Sequence, residues 1–174
     1  MSAKFDFKLS NMTSSLPSNQ IVVIPAKAKK FEIAKITVIK QNAANSFSYT
    51  NTFNFGNALQ KDYDKDYIYD LPFEKGKTQL ICQGYNGKFS HQNANALDFN
   101  LKTGEKIFAA REGKVVAVVE NNTQSCANIS CAKFNNKIVV MHPDGTFADY
   151  VHLKLNGAEV KIGDEVKKGQ FIGY

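Results

Sequence analysis

His91 and Asp98 are the residues of this 174-residue chain whose types and spacing best suit chemistry. They lie in the run from Gly84 to Phe99, inside an otherwise apolar, strand-like context. From Ala96 to Leu101 the side chains alternate: Leu97, Phe99 and Leu101 share one face, Ala96, Asp98 and Asn100 the other. The first face reads as core. That sets Asp98 on the opposite face of an anchored strand, with His91 arriving from the glycine-rich loop before it. A neutral imidazole and an ionised carboxylate on a rigid support are two of the ligands a catalytic zinc uses. The same residues are also accounted for as a loop histidine and a solvated strand carboxylate, and both readings stand at this point.

Composition narrows the class of protein. Hydrophobic residues make up 43% and charged residues 22%, an ordinary globular balance. Thirteen Phe and seven Tyr with no Trp supply aromatic material suited to sheets. The net charge of +6 is spread evenly, with 9 basic and 6 acidic side chains in 1–72 and 13 and 10 in 73–174. No basic cluster of the kind that binds nucleic acid occurs. The diffuse positive charge suits an anionic polymer such as a cell wall. No stretch is apolar enough to span a membrane. The first residues lack a secretory hydrophobic region, which fits a cytosolic protein or a chain that starts after a removed signal. Cys126 and Cys131 are close enough for a short-loop disulfide at a hairpin tip or for two buried thiols; Cys82 stands alone.

The elements that must position His91 and Asp98 read as strands throughout. Short β patterns occur at Phe5–Leu9 and Ile21–Ile24, and longer alternations at Phe31–Ile39 and Ser46–Phe55. They predict a small β-sandwich or accessory sheet over 1–72. The tyrosine-rich Lys61–Asp70 segment reads as a solvated linker. Its aspartates begin like a calcium loop but lack the turn glycine and the closing glutamate. Residues 73–174 form a second, all-β domain of short strands joined by glycine turns, without any helical period. Within it, Pro143-Asp144-Gly145 joins two strands as a hairpin, Pro presetting the turn and Gly supplying a positive φ. Thr146, Ala148, Tyr150 and His152 fall on one face of the second hairpin strand.

Further along, the pattern resembles a known family. The quoted runs are Ser90-His91, Ala96-Leu97-Asp98-Phe99, Gly104 to Val116, Val139 to Thr146, Tyr150-Val151-His152-Leu153 and Ile162 to Gly173. In order and spacing they are similar to the lysostaphin/LytM-type zinc endopeptidases, over about Gly84 to Tyr174. The resemblance implies an antiparallel β-sheet fold built on a duplicated hybrid motif. It also implies a Zn²⁺ cofactor, cleavage of peptide cross-links in bacterial peptidoglycan, and a periplasmic or extracellular location. It places His91 and Asp98 on the first two zinc ligands and His152 on the histidine that polarises the carbonyl or handles the water proton. His142 falls outside the set and reads as a surface residue of the hairpin turn.

The chain departs from the family pattern in two ways. Six residues separate His91 from Asp98 where the family has three, so residues 92–95 must bulge. The family's third ligand, from a later His-x-His, is not present before Tyr174. The expectation is an incomplete site, weak in zinc and inactive or impaired as a truncated form. A non-catalytic member of the family that binds wall peptides or activates another hydrolase is the alternative. A biotinyl- or lipoyl-like carrier is a third reading, opposed by the lack of a lysine at a tight turn.

Overall fold

The computed structural model describes residues 1–124 and 128–174, with Ile129 described through its backbone alone. The expected approach of Cys126 to Cys131 lies outside the described residues. The chain divides into two compact units, Met1–Tyr63 and Asp64–Tyr174. No α-helix occurs among the described residues; the one helical element is the 3-10 helix Ile129–Phe134. The fold is antiparallel β, as the sequence predicts.

In the first unit β1 (Ser2–Ser10) is the central strand of three, flanked by β3 (Ile21–Val23) and β5 (Ser46–Asn54). All nine residues of β1 pair with β5. Alternation places Phe5, Phe7 and Tyr49 on one face, where ring centroids lie 5.9–6.4 Å apart. A second pairing joins β2 (Met12–Ser14) to β4 (Ile36–Val38). The Phe31–Ile39 alternation is thus used as strand for three residues only, because its partner offers three and no more.

In the second unit β6 is Ile81–Gln83, β7 Asp98–Phe99, β8 Ile107–Phe108 and β9 Gly113–Val119. They are followed by β10 (Lys137–Met141), β11 (Phe147–Val151), β12 (Glu165–Val166) and β13 (Phe171–Gly173). The main sheet runs β11-β10-β9-β12, with β13-β8 and β6-β7 as two-stranded ladders. The Ile138-Val139-Val140 run is buried because β10 has a neighbour on each side. Ile138 and Val140 pack with Val115, Tyr150, Leu153, Val166 and Ile172. Full burial of each such aliphatic side chain contributes about 1.5–3 kcal/mol. The buried Tyr150 keeps its hydroxyl paired by accepting the Ala110 N–H at 2.7 Å. The hairpin forms as predicted: Met141 pairs with Phe147, the His142 N–H donates to Thr146 at 2.8 Å, and Gly145 takes φ 82°.

Two expectations fail in this unit. His142 is not a surface residue; it is 2% exposed. Nor is the end of the Lys61–Asp70 segment a solvated linker. The Tyr67 ring lies 3.9 Å from the Arg111 guanidinium carbon, and Asp70 pairs with Lys75 and Lys168 at 3.4 and 3.6 Å. The Asp70 N–H also donates to Ala110 at 2.9 Å. A buried guanidinium needs a face to lie against, and two tyrosines in the segment supply it.

Candidate functional site

The loop from Gly84 to Asp98 is built of tight turns that aim one imidazole. Asn86 and Asn93 sit in the left-handed region at φ 57°, a conformation asparagine tolerates. The Gly87 N–H donates to Gly84, the His91 N–H to Gly87, and the Ala94 N–H to His91, at 2.9–3.1 Å. The expected bulge at 92–95 is therefore a closed turn. It returns the chain to β7, which pairs with β6 so that Gln83 and Asp98 are cross-strand partners.

The structure brings His91 and Asp98 together. His91 Nε2 lies 3.3 Å from Asp98 Oδ1, with the imidazole almost buried and the carboxylate 40% exposed. His91 Nδ1 lies 3.1 Å from the Gly84 carbonyl. A carbonyl only accepts, so Nδ1 carries the proton and donates it there. In the neutral ring the Nε2 lone pair faces a carboxylate oxygen, and a positive centre between them, a second ring proton or a metal cation, would satisfy both. Two ligands of a tetrahedral zinc, each bonded at about 2.0–2.1 Å, are separated by about 3.3 Å. An imidazole held from behind by a backbone carbonyl is the usual support of a metal-bound histidine. By donor chemistry and spacing, the pair fits a divalent cation.

His152 is the first residue after β11, exposed, with φ 64°. Strict alternation would turn it inward beside Tyr150; the left-handed backbone turns it out to solvent instead. Such a conformation in a non-glycine residue is mildly strained and is concentrated at functional positions. Among the described residues it makes no hydrogen bond or ion pair with His91 or Asp98. No group of three or more His, Cys, Asp or Glu side chains able to hold a metal occurs among the described residues. His91 and Asp98 are a pair.

A second polar cluster surrounds His142. Its Nδ1–H donates to the Glu112 carbonyl at 2.8 Å, and its ring meets Tyr69 edge-on at 5.8 Å. Arg111, 5% exposed, donates to Asp144 Oδ2 at 2.8 Å and to the Tyr69 hydroxyl at 3.2 Å. Burial pushes the His142 imidazolium down in pKa, and the Arg111 charge adds to this against the bond to Glu112. For Asp144 burial acts upward, but hydrogen bonds from Thr146, Arg111 and the Asp64 N–H outweigh it and hold the carboxyl well below the usual range. Burial and Arg111 thus outweigh the Asp144 and Glu112 charges and keep His142 neutral, with Asp144 committed to Arg111.

Sequence reasoning missed Gln83 and the Gly84 carbonyl. A lone glutamine carries no charge pattern and a carbonyl leaves no trace in sequence. The available signal was pairing: once β6 is set against β7, Gln83 stands opposite Asp98.

Residues 92–174 match the peptidase family M23, described as "Peptidase family M23". The matched range begins one residue after His91 and contains Asp98 and His152. No curated protein matches the chain. A crystal structure of a candidate peptidase M23 from Pseudomonas aeruginosa is 14% identical over 99% of this chain and 74% of that one, with a TM-score of 0.40.

Proposed function

We propose, from a chain whose residues 92–174 match peptidase family M23, that this protein is a zinc-dependent endopeptidase acting on the peptides of bacterial peptidoglycan, in the periplasm or outside the cell. The observation that carries the reading is the 3.3 Å approach of His91 Nε2 to Asp98 Oδ1, with Nδ1 already committed to Gly84. Zinc, when bound, would supply a Lewis acid that polarises the scissile carbonyl and lowers the pKa of water. His91 would hold it through Nε2 and Asp98 through Oδ1. His152, exposed and free of hydrogen bonds among the described residues, is the side chain to donate to the carbonyl oxygen or to take the water proton. Residues 1–72 are accessory in this reading.

Catalytic zinc takes three protein ligands as a rule. Of the three histidines, His142 is buried and His152 is reserved for the proton, and among the described residues no third His, Cys, Asp or Glu joins His91 and Asp98. The 174-residue chain is expected to bind zinc weakly and to be inactive or impaired on peptidoglycan. With a His-x-His supplied after Tyr174, both are expected to rise. The test compares zinc content and release of peptide from purified sacculi for the two forms, with His91→Ala in the longer one. Full activity in the 174-residue chain would mean that the ligands are misassigned. Bound zinc without cleavage in the longer form would favour a non-catalytic wall-binding or hydrolase-activating role.

A further inference from the structure

We infer that Gln83 is a positioning residue: it holds the second carboxylate oxygen of Asp98 so that Oδ1 alone is presented beside His91. The inference rests on the zinc reading and deepens it.

The Gln83 amide is fully used. Its Nε2 donates to Asp98 Oδ2 at 3.0 Å and to Ser90 Oγ at 2.8 Å. Its Oε1 accepts the N–H of Phe89 at 3.1 Å and of Ser90 at 3.3 Å. Two donors and two acceptor sites are all that a glutamine amide has. The orientation follows from the partners: a flipped amide would set an NH₂ against two backbone N–H groups. One side chain therefore ties together the strand bearing Gln83, the residue before His91, and Asp98.

The choice of oxygen matters. A carboxylate free to rotate can offer either oxygen, or both, to a cation. With Oδ2 occupied by an N–H, Asp98 offers Oδ1 at 3.3 Å from the Nε2 lone pair. Outer partners that orient ligands in this way typically change metal affinity 10–100-fold when removed.

Gly87 gives an independent handle on the same side chain. A Cβ built there would lie 2.3 Å from Gln83 Cγ, 2.7 Å from Cδ and 2.8 Å from Oε1. The clash runs along the Gln83 side chain from Cγ outward and not with backbone, so Gly87→Ala is expected to force the whole Gln83 side chain out of its place.

The experiment measures the Kd for Zn²⁺ by competition with a chromophoric chelator, on the full 174-residue chain. The variants are His91→Ala, Asp98→Ala, Gln83→Met, Gly87→Ala, and the doubles Gln83→Met/Gly87→Ala and Gln83→Met/Asp98→Ala. Thermal unfolding confirms that each is folded. Gln83→Met is expected to weaken zinc 10–100-fold, and Gly87→Ala to weaken it in the same direction. The second change should add less than twofold once Gln83 is Met. Because Gln83 acts through Asp98, Gln83→Met should also add less than twofold in the Asp98→Ala background, whereas a merely structural role would cost the same in both backgrounds. If His91→Ala weakens zinc but Gln83→Met stays within twofold of the parent, or if its cost is unchanged without Asp98, the positioning role is overturned and the zinc reading survives. If His91→Ala leaves the affinity unchanged, the zinc reading itself fails, and this inference with it.

Discussion

At His91 and at His142 the chain does the same thing with one proton. Each Nδ1–H is given to a backbone carbonyl, of Gly84 at 3.1 Å and of Glu112 at 2.8 Å, which leaves Nε2 as a lone pair in the neutral ring. The surroundings then diverge. Nε2 of His91 faces the Asp98 carboxylate. Nε2 of His142 is buried and finds no hydrogen-bond partner among the described residues, with the Tyr69 ring against the imidazole and the Arg111 charge close enough to lower its pKa. A fixed tautomer with a spare lone pair is thus not in itself a metal site. What lies at the lone pair and how deeply it is buried decide: His91 Nε2 faces a half-exposed carboxylate, whereas His142 Nε2 is buried without a partner among the described residues, and burial with the Arg111 charge outweighs the Asp144 and Glu112 charges acting the other way. On the proposed reading the first region serves a ligand and the second the stability of the fold.

If that division is right, the two regions separate under mutation. Asp144→Ala would leave the nearly buried Arg111 guanidinium without its closest carboxylate. Breaking a buried pair from one side costs about 3–5 kcal/mol, the largest effect expected in this molecule. Urea unfolding is the measurement, and the Kd for zinc of the protein that remains folded should change less than twofold. A stability loss under about 1 kcal/mol would show that Asp144 is not what compensates Arg111.

The reverse pattern is expected at the other region. His91→Ala removes a proposed ligand and a single hydrogen bond to Gly84. A lost bond of this kind is worth about 1 kcal/mol. Zinc affinity should fall by at least about a hundredfold, more than removal of an outer partner typically costs. Comparable losses of stability in His91→Ala and Asp144→Ala would dissolve the distinction between the two regions.

The sequence made one region far more legible than the other. His91 and Asp98 could be read because a strand phase and a motif spacing both leave marks in residue order, and the hairpin at Pro143-Asp144-Gly145 because turn chemistry is local. His142 was misread for the same reason: it stands next to a turn, and turns usually lie at the surface. Tyr69, far away in sequence in a stretch whose charges read as a linker, lies edge-on against its ring. The alternation that would have turned His152 inward with Tyr150 failed at a single left-handed residue. Pairing lengths, as at Phe31–Ile39, depend on the partner strand and are invisible in either strand alone. Burial, register and tertiary cation–aromatic contact are long-range properties, and they account for each of these misses.

The protonation of His142 gives a pH test of the comparison. Its folded pKa lies below the unfolded value of about 6.5. Between those two values the unfolded chain binds a proton that the folded chain refuses, so stability falls as pH drops from about 7.5 toward 5 and recovers as pH rises. Each unit of depression is worth about 1.4 kcal/mol. Asp144 does not confuse this window: its folded carboxyl titrates below the unfolded value of about 3.9, so its contribution is lost only in stronger acid. The charged and titratable groups facing the ring are Arg111, Glu112, Asp144 and Tyr69. Urea unfolding at pH 5 and 7.5 should show a smaller difference in His142→Gln than in the parent. An equal difference would place the titrating group elsewhere.

The smallest effect concerns Tyr67, which sits between the Arg111 face and Glu112. Its hydroxyl donates to Glu112 Oε2 at 2.6 Å, a short bond to an ionised acceptor. That bond, with burial and the Glu112 charge acting in the same direction, pushes the phenol up to about 12. A phenolate could no longer donate, and it would face a carboxylate. From pH 10 to about 12 the unfolded chain therefore releases a proton that the folded chain keeps, and stability falls with rising pH, the opposite slope to that of His142. Tyr67→Phe keeps the ring over Arg111 and removes only the hydroxyl, so the loss at neutral pH should be about 1 kcal/mol, at the low end for a charged acceptor because the site is partly exposed. Burial also raises the Tyr150 phenol, so absorbance titration should show one late-ionising group fewer in Tyr67→Phe than in the parent. If the number of late groups is the same in both, the hydroxyl bond does not hold this tyrosine, and the aromatic cover of Arg111 rests on ring contact alone.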